Sequence, residues 1–165
     1  MAHLAVEISN EFIDLAKGSG GLTQMQLQKL VFIANGFYAA FKGEPLVKDT
    51  FEAWDFGPVA RDLREHTQYY GSRKITDPIS RDDKDFSYLL TGKRNYEPYR
   101  ANLDAAKKSI VEAVFSRYGD MDGSALSRLT HQPDTPWHRA YQKGRNTRIS
   151  LDDIISHYSH IIDNL

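Results

Sequence analysis

The fold is decided by the stretch LVFIANGFYAAF, residues 30–41, in which Asn35 is the only strongly polar side chain. A helix that is apolar on nearly every face must be surrounded by protein. The run is too short to cross a bilayer, which needs about 20 apolar residues. It therefore predicts a buried central helix inside one compact domain.

The two ends of this central helix are marked by separate signals. Thr23 followed by Gln26 has the spacing of a capping box at a helix start. Lys42 suits the negative end of a helix dipole, and Gly43 can adopt the left-handed conformation that ends a helix. We therefore expect a helix over about residues 23–42, with Thr23 to Lys29 nearest the surface and Leu30 to Phe41 inside.

The remaining sequence predicts a mainly α fold, a helical bundle with one or two short strands. Apolar residues at helical spacing predict further helices near 4–16, 59–70, 103–118, 124–130, 137–142 and 151–162. Phe51 to Trp54 reads as one extended segment, and Arg148 with Ile149 as another. Gly57 and Pro58 predict a turn into a helix, with Pro58 as its first residue.

Residues 72–100 carry the weakest signals, and we expect a variable surface region there, with a short helix or strand at 86–90. The whole chain of 165 residues is predicted to form a single domain. Within the weak region, residues 77–97 have no assigned role.

Composition excludes several classes of function. A formal net charge of −1 disfavours binding driven by phosphate attraction, and the lack of cysteine excludes disulfides, thiolate zinc sites and a cysteine nucleophile. Glu7, Glu11 and Asp14 interrupt any apolar core of a signal peptide. We expect a cytoplasmic protein that does not enter a membrane.

Three passages of the sequence resemble the SocA-like Panacea domain family of antitoxins. They are GLTQMQLQKL at 21–30, EAWDFGPV at 52–59, and LSRLTHQPDTPW at 126–137, where the likeness lies in the Leu-Thr-His and Pro-Trp parts. Each passage alone is weak, whereas three in the same order are specific. The likeness in order and spacing extends from the first helix to the last.

The resemblance implies a helical protein that acts by binding rather than by catalysis. It would be the antitoxin of a bacterial or prophage toxin–antitoxin pair, and its partner the toxin encoded by a neighbouring gene. A proteolytic adaptor that delivers the toxin to a protease is the alternative within the family. No cofactor is implied.

A DNA-binding regulator is the alternative from another class. The helix that begins after the glycine turn at Leu22 resembles a helix-turn-helix unit. The near-neutral charge and the expected burial of the same helix argue against nucleic acid as a partner.

Two sets of residues are singled out. The candidate partner-binding residues are Gln28, Lys29, Trp54, His131, Trp137, Arg139, Lys143 and Arg145. The candidate structural residues are Thr23, Leu27, Leu30, Gly57, Pro58, Thr130 and Pro136. For Gln28, Lys29 and Trp54 a structural role is also open, because such side chains often bond to backbone or cover the edge of a core.

Catalytic and metal sites are not expected. Thr130, His131 and Asp134 combine a hydroxyl, an imidazole and a carboxylate, but adjacent residues of a helix do not face each other, so packing at a corner is favoured. Asp153, His157 and His160 lie on one helix, where a solvated polar face is favoured over a metal site.

Overall fold

The computed structural model describes residues 1–81, 88–93 and 96–165. Its helices are α1 (Ala5–Leu15), α2 (Gln24–Lys42), α3 (Arg61–Thr67), α4 (Tyr88–Thr91), α5 (Ala105–Tyr118), α6 (Gly123–Thr130), α7 (Pro136–Tyr141) and α8 (Leu151–Asp163). The strands are β1 (Phe51–Trp54), β2 (Gly57–Ala60) and β3 (Thr147–Arg148). They form one antiparallel sheet in the order β2-β1-β3. The predicted mainly α class is confirmed, with one strand more than the upper expectation.

Helix α2 lies at the centre of the molecule, as predicted. Helices α1, α5, α6 and α8 and strand β2 all pack against it, and every residue from Leu27 to Ala39 is buried. The buried Asn35 accepts hydrogen bonds from the amides of Leu46 and Val47, which anchors the chain after α2.

Both ends of α2 differ from the expectation in how deeply they are buried. Phe41, predicted to lie inside, is 59% exposed because it lies in the last turn of α2, at the start of an exposed stretch at residues 41–44. Lys29, predicted to lie nearest the surface, is only 2% exposed because β2 covers it.

The predicted capping signals of α2 are confirmed. The Thr23 hydroxyl accepts from the Gln26 amide at 3.2 Å, and the Gln26 side chain accepts from the Thr23 amide at 2.8 Å. Gly43 has φ +75° and donates its amide to Ala39.

The prediction that Gly57 and Pro58 open a helix is wrong. Both belong to β2, which pairs with β1 across a tight turn at Asp55 and Phe56, and the helix begins only at Arg61. Proline is tolerated there because β2 is an edge strand of the sheet. Pairing with β1 therefore overrides the local preference of proline for a helix start.

The prediction of a surface loop over residues 72–100 is wrong at two positions. Ile75 and Ile79 are fully buried. The buried Asn10 side chain donates to the Ile79 and Tyr99 carbonyls and accepts from the Ile79 amide, which ties the backbone at residues 79 and 99 to α1. The expected element at 86–90 is seen only as α4, since residues 86 and 87 lie outside the described ranges.

In the part of the chain that the structure describes, no helix has the length and apolar character that a membrane span requires.

Candidate partner-binding surface

The hairpin formed by β1 and β2 is held along its outer edge by two side chains of α2. Gln28 donates to the Ala60 carbonyl at 3.0 Å and accepts from the Ala60 amide at 2.9 Å. Lys29 donates its ammonium to the Pro58 carbonyl at 2.9 Å. An edge strand has backbone groups that would otherwise need a further strand as partner. Proline has no amide hydrogen, so the groups to be satisfied are the Pro58 carbonyl and the Ala60 amide and carbonyl, and these three contacts satisfy them.

The turn of the hairpin is also held by side chains of α6 and α7. Trp137 donates its indole N–H to the Trp54 carbonyl at 2.6 Å, and the Ser127 hydroxyl donates to the Phe56 carbonyl at 2.6 Å. The three passages that carry the family resemblance therefore meet at this hairpin, although they are far apart in sequence.

The tip of the hairpin, Asp55 and Phe56, is exposed but restrained. Arg145 makes a bidentate ion pair with the Asp55 carboxylate, and the Tyr141 hydroxyl donates to it at 2.8 Å. These hydrogen bonds hold the pKa of Asp55 below its usual value. Phe56 leaves 69% of its surface exposed on this restrained turn.

A groove of about 890 Å³ opens beside the hairpin tip. We call it the tip groove, and its lining includes Met25, Gln28, Lys29, Trp54, Phe56 and Arg64. The Trp54 ring stands at its edge, where the guanidinium of Arg64 lies 5.1 Å from the ring centroid. The volume is in the range of sites that bind small molecules or short segments of a partner.

Lys29 forms part of the lining of the tip groove and is electrostatically unusual. Its burial lowers the pKa of the amine to about 7. The amine donates a hydrogen bond to a backbone carbonyl, and among residues 1–81, 88–93 and 96–165 it has no carboxylate partner. A buried cation without a counter-ion is costly.

A family model described as "Antitoxin SocA-like, Panacea domain" matches residues 27–138 of this chain. The chain belongs to that family. A curated relative, antitoxin SocA of Caulobacter vibrioides (strain NA1000 / CB15N), is 29% identical over 116 residues, which cover 70% of this chain and 58% of SocA. The chain thus spans less than two thirds of that relative's length. No solved structure matches it.

The Panacea match begins inside α2 and ends inside α7. The expectation that the likeness to the family runs from the first helix to the last is therefore too broad, since α1 and α8 lie outside the matched segment. The segment does contain the whole hairpin and both groups of side chains that hold it.

The candidate residues take different positions in this Panacea-domain chain. Gln28, Lys29, Trp54 and Arg145 all line the tip groove. Trp137 lies behind the hairpin, only 7% exposed, with the His131 ring 5.0 Å from its own. Arg139 pairs with Asp153 on α8 at 3.6 Å, away from the groove, and Lys143 is exposed on the turn after α7.

Among the described residues, the Thr130 hydroxyl and the His131 imidazole near the end of α6 make no hydrogen bond with each other. The Thr130 hydroxyl donates to the carbonyls of Leu126 and Ser127 within its own helix. His131 Nδ1 lies 3.3 Å from the Ser127 hydroxyl, which donates its own hydrogen to the Phe56 carbonyl. These groups serve helix and hairpin packing.

Sequence reasoning missed Ser127, Phe56 and Arg64. Phe56 and Ser127 stood inside the passages that carried the resemblance, but nothing in their residue type indicated which one is exposed and which one bonds to backbone. Arg64 carried no signal, because its position beside Trp54 depends on how α3 follows the hairpin.

Proposed function

We propose that this chain is the antitoxin of a toxin–antitoxin pair and neutralises its toxin by direct binding at the tip groove and Phe56. Family membership supports the antitoxin role. The complex would form in the cytoplasm of a bacterium or of a cell that carries a prophage. The chain has no catalytic step in this proposal and takes part only as a binding protein.

The observation that carries the proposal is the exposed Phe56 on a restrained hairpin. Aromatic anchors supply much of the affinity of protein interfaces. An anchor that is already held in place loses little conformational entropy when the partner binds. The bonds from Lys29, Ser127 and Trp137 to the hairpin backbone provide this restraint.

In this proposal the candidate residues have two kinds of role. Trp54 and Arg145 would contact the toxin at the rim of the groove. Gln28, His131 and Trp137 would keep the hairpin in the shape that the toxin recognises. Lys29 would have both roles, because it holds β2 and also lines the groove. Arg139 and Lys143 would contribute only if the interface extends over α7.

The test is co-expression with the product of the neighbouring gene, followed by a binding measurement. We expect that product to inhibit growth alone and this chain to relieve the inhibition. Phe56→Ala should weaken binding at least about tenfold, as expected of an anchor residue.

Phe41→Ala is the matched control. Phe41 on α2 is 59% exposed and Phe56 is 69% exposed. Phe41 lies roughly 18 Å along the helix from Lys29, the groove residue of α2 nearest to it. The Phe41→Ala variant should bind the toxin with the same affinity as the unmodified chain. The proposal fails if the neighbouring product is harmless, if it stays toxic in the presence of the chain, or if Phe56→Ala binds as tightly as Phe41→Ala.

The two alternative functions differ in their readouts. An adaptor would shorten the half-life of the toxin, whereas a simple antitoxin leaves it complexed and intact. A DNA-binding regulator would need to insert the start of α2 into a groove of the DNA, yet Leu27, Gln28 and Lys29 are buried beneath the hairpin. Burial at these positions argues against α2 as a recognition helix.

A further inference from the structure

The acidic side chains of the tip groove leave two of its basic side chains without a partner. The carboxylates are Asp55 and Asp122, and both are already engaged. Asp55 is bound by Arg145 and Tyr141, and Asp122 accepts from the Ala125 amide as the cap of α6. Asp55 therefore compensates Arg145, and neither carboxylate is bound to Lys29 or Arg64.

Two cations of the groove have no carboxylate within the described residues. Lys29 uses one of its three N–H donors on the Pro58 carbonyl. Arg64 bonds to the uncharged side chain of Gln68 at 2.8 Å and lies over the Trp54 ring. The groove thus presents one buried amine and one exposed guanidinium, neither of which has a carboxylate partner within the described residues.

The groove also has apolar lining residues. Met25, Trp54, Phe56 and Val59 all line the groove. A nucleic acid would require a broad basic surface, which the net charge of −1 does not supply. The combination instead fits a short protein segment with one carboxylate and an apolar side chain next to it.

We propose that the tip groove binds an acidic segment of the partner protein, with an Asp or Glu carboxylate placed between Lys29 and Arg64 and a neighbouring apolar side chain against Trp54 and Phe56. This inference rests on the proposed function and specifies the chemistry of the toxin surface. Pairing with the carboxylate would supply the counter-ion that Lys29 lacks, and charge complementarity of this kind confers specificity on an interface.

A random peptide library displayed on phage tests the inference even before the toxin is identified. We expect peptides selected on the unmodified chain to share an Asp or Glu beside a Leu, Phe, Tyr or Trp. One selected peptide is then synthesised with a fluorescent label, and its affinity is measured by fluorescence polarisation. Replacement of its acidic residue by the matching amide should lower the affinity at least about tenfold, as expected for a desolvated charge pair.

Variants of the chain locate the carboxylate. Lys29→Met and Arg64→Gln should each lower the affinity for the labelled peptide at least about fivefold. The Lys29→Met variant should bind the amide peptide only slightly more weakly than it binds the acidic peptide. Lys48→Met, at an exposed lysine outside the groove, is the matched control and should bind normally. The substitution in the peptide stays informative even if Lys29→Met does not fold.

The inference is overturned if no peptide is selected, if the selected peptides lack acidic residues, or if the amide peptide binds equally well. Displacement of the peptide by an equal concentration of single-stranded DNA would also overturn it. These outcomes can be told apart from failure of the proposed function. That function is tested by the loss of toxin binding in Phe56→Ala and does not depend on acidic peptides.

Discussion

Lys29 shows how one residue can stabilise an element and still carry an electrostatic cost. Its bond to the Pro58 carbonyl holds the edge of β2, while burial lowers the pKa of its amine from 10.5 to about 7. In the unfolded chain the amine regains its ordinary pKa. Between these two values the unfolded state binds more protons than the folded state, so stability must rise with pH.

We therefore predict that the free energy of unfolding rises with pH above about 7, by up to about 1.4 kcal/mol per pH unit from this group. Lys29→Met removes the titrating amine, so the variant should lack this part of the slope. Urea unfolding of both proteins at pH 7.0, 8.0 and 9.0 measures the slope of the free energy of unfolding against pH.

Lys48→Met is the control for this pH dependence, because Lys48 is exposed and its variant should keep the slope of the unmodified chain. Apart from Lys29 and Lys48, the titrating groups are the same in the three proteins, so a slope that is lost only in Lys29→Met is due to Lys29. Parallel pH profiles for the unmodified chain and Lys29→Met would contradict the prediction.

At the scale of the element, the hairpin depends on a position that only glycine fits. Gly57 has φ +115°, outside the region that other residues reach easily. A Cβ there would lie 2.9 Å from Lys29 Cε and 3.0 Å from the Thr130 hydroxyl. Its absence lets α2 and α6 approach the hairpin together.

Gly57→Ala should accordingly destabilise the chain by at least about 2 kcal/mol, from backbone strain and the displacement of Lys29. Gly43→Ala serves for comparison: Gly43 has φ +75° with nothing within 4 Å of an added Cβ, so only the left-handed cost of about 1 kcal/mol applies. Thermal unfolding of the two variants would reveal the difference. Equal losses would mean that the close contacts at Gly57 do not matter.

At the scale of the whole molecule, most elements are joined through α2. On one side α8 approaches so closely that Gly36 faces the Tyr158 ring, where an added Cβ would lie 2.3 Å from it. On another side β2 and α6 pack against the same helix, and α1 and α5 cover the rest. We propose on this basis that residues 1–165 form one domain.

A single domain of this kind should unfold in one cooperative transition. Tryptophan fluorescence reports on the hairpin and α7 through Trp54 and Trp137, and far-UV circular dichroism reports on the helices. The two probes should give the same midpoint in urea. Two separate midpoints would indicate that the hairpin region unfolds independently of the bundle.

Much of the fold could be predicted because its signals are local. The apolar run after Leu30 required burial, and Thr23 with Gln26 and Gly43 marked the ends of α2, as the structure confirms. The start of α3 could not be predicted, because Pro58 suits a helix start as well as an edge strand. Pairing with β1, a contact between distant backbone groups, decided between them.

The sequence by itself determined that α2 is the buried centre, because a helix apolar on nearly every face has no stable place in water. It also determined family membership, since three ordered passages carry that resemblance. Only the tertiary structure decided that those passages meet at one hairpin, that Lys29 is buried and that Phe56 is exposed. Burial and hydrogen bonding depend on which distant segments pack together, and neither residue type nor spacing along the chain specifies that packing.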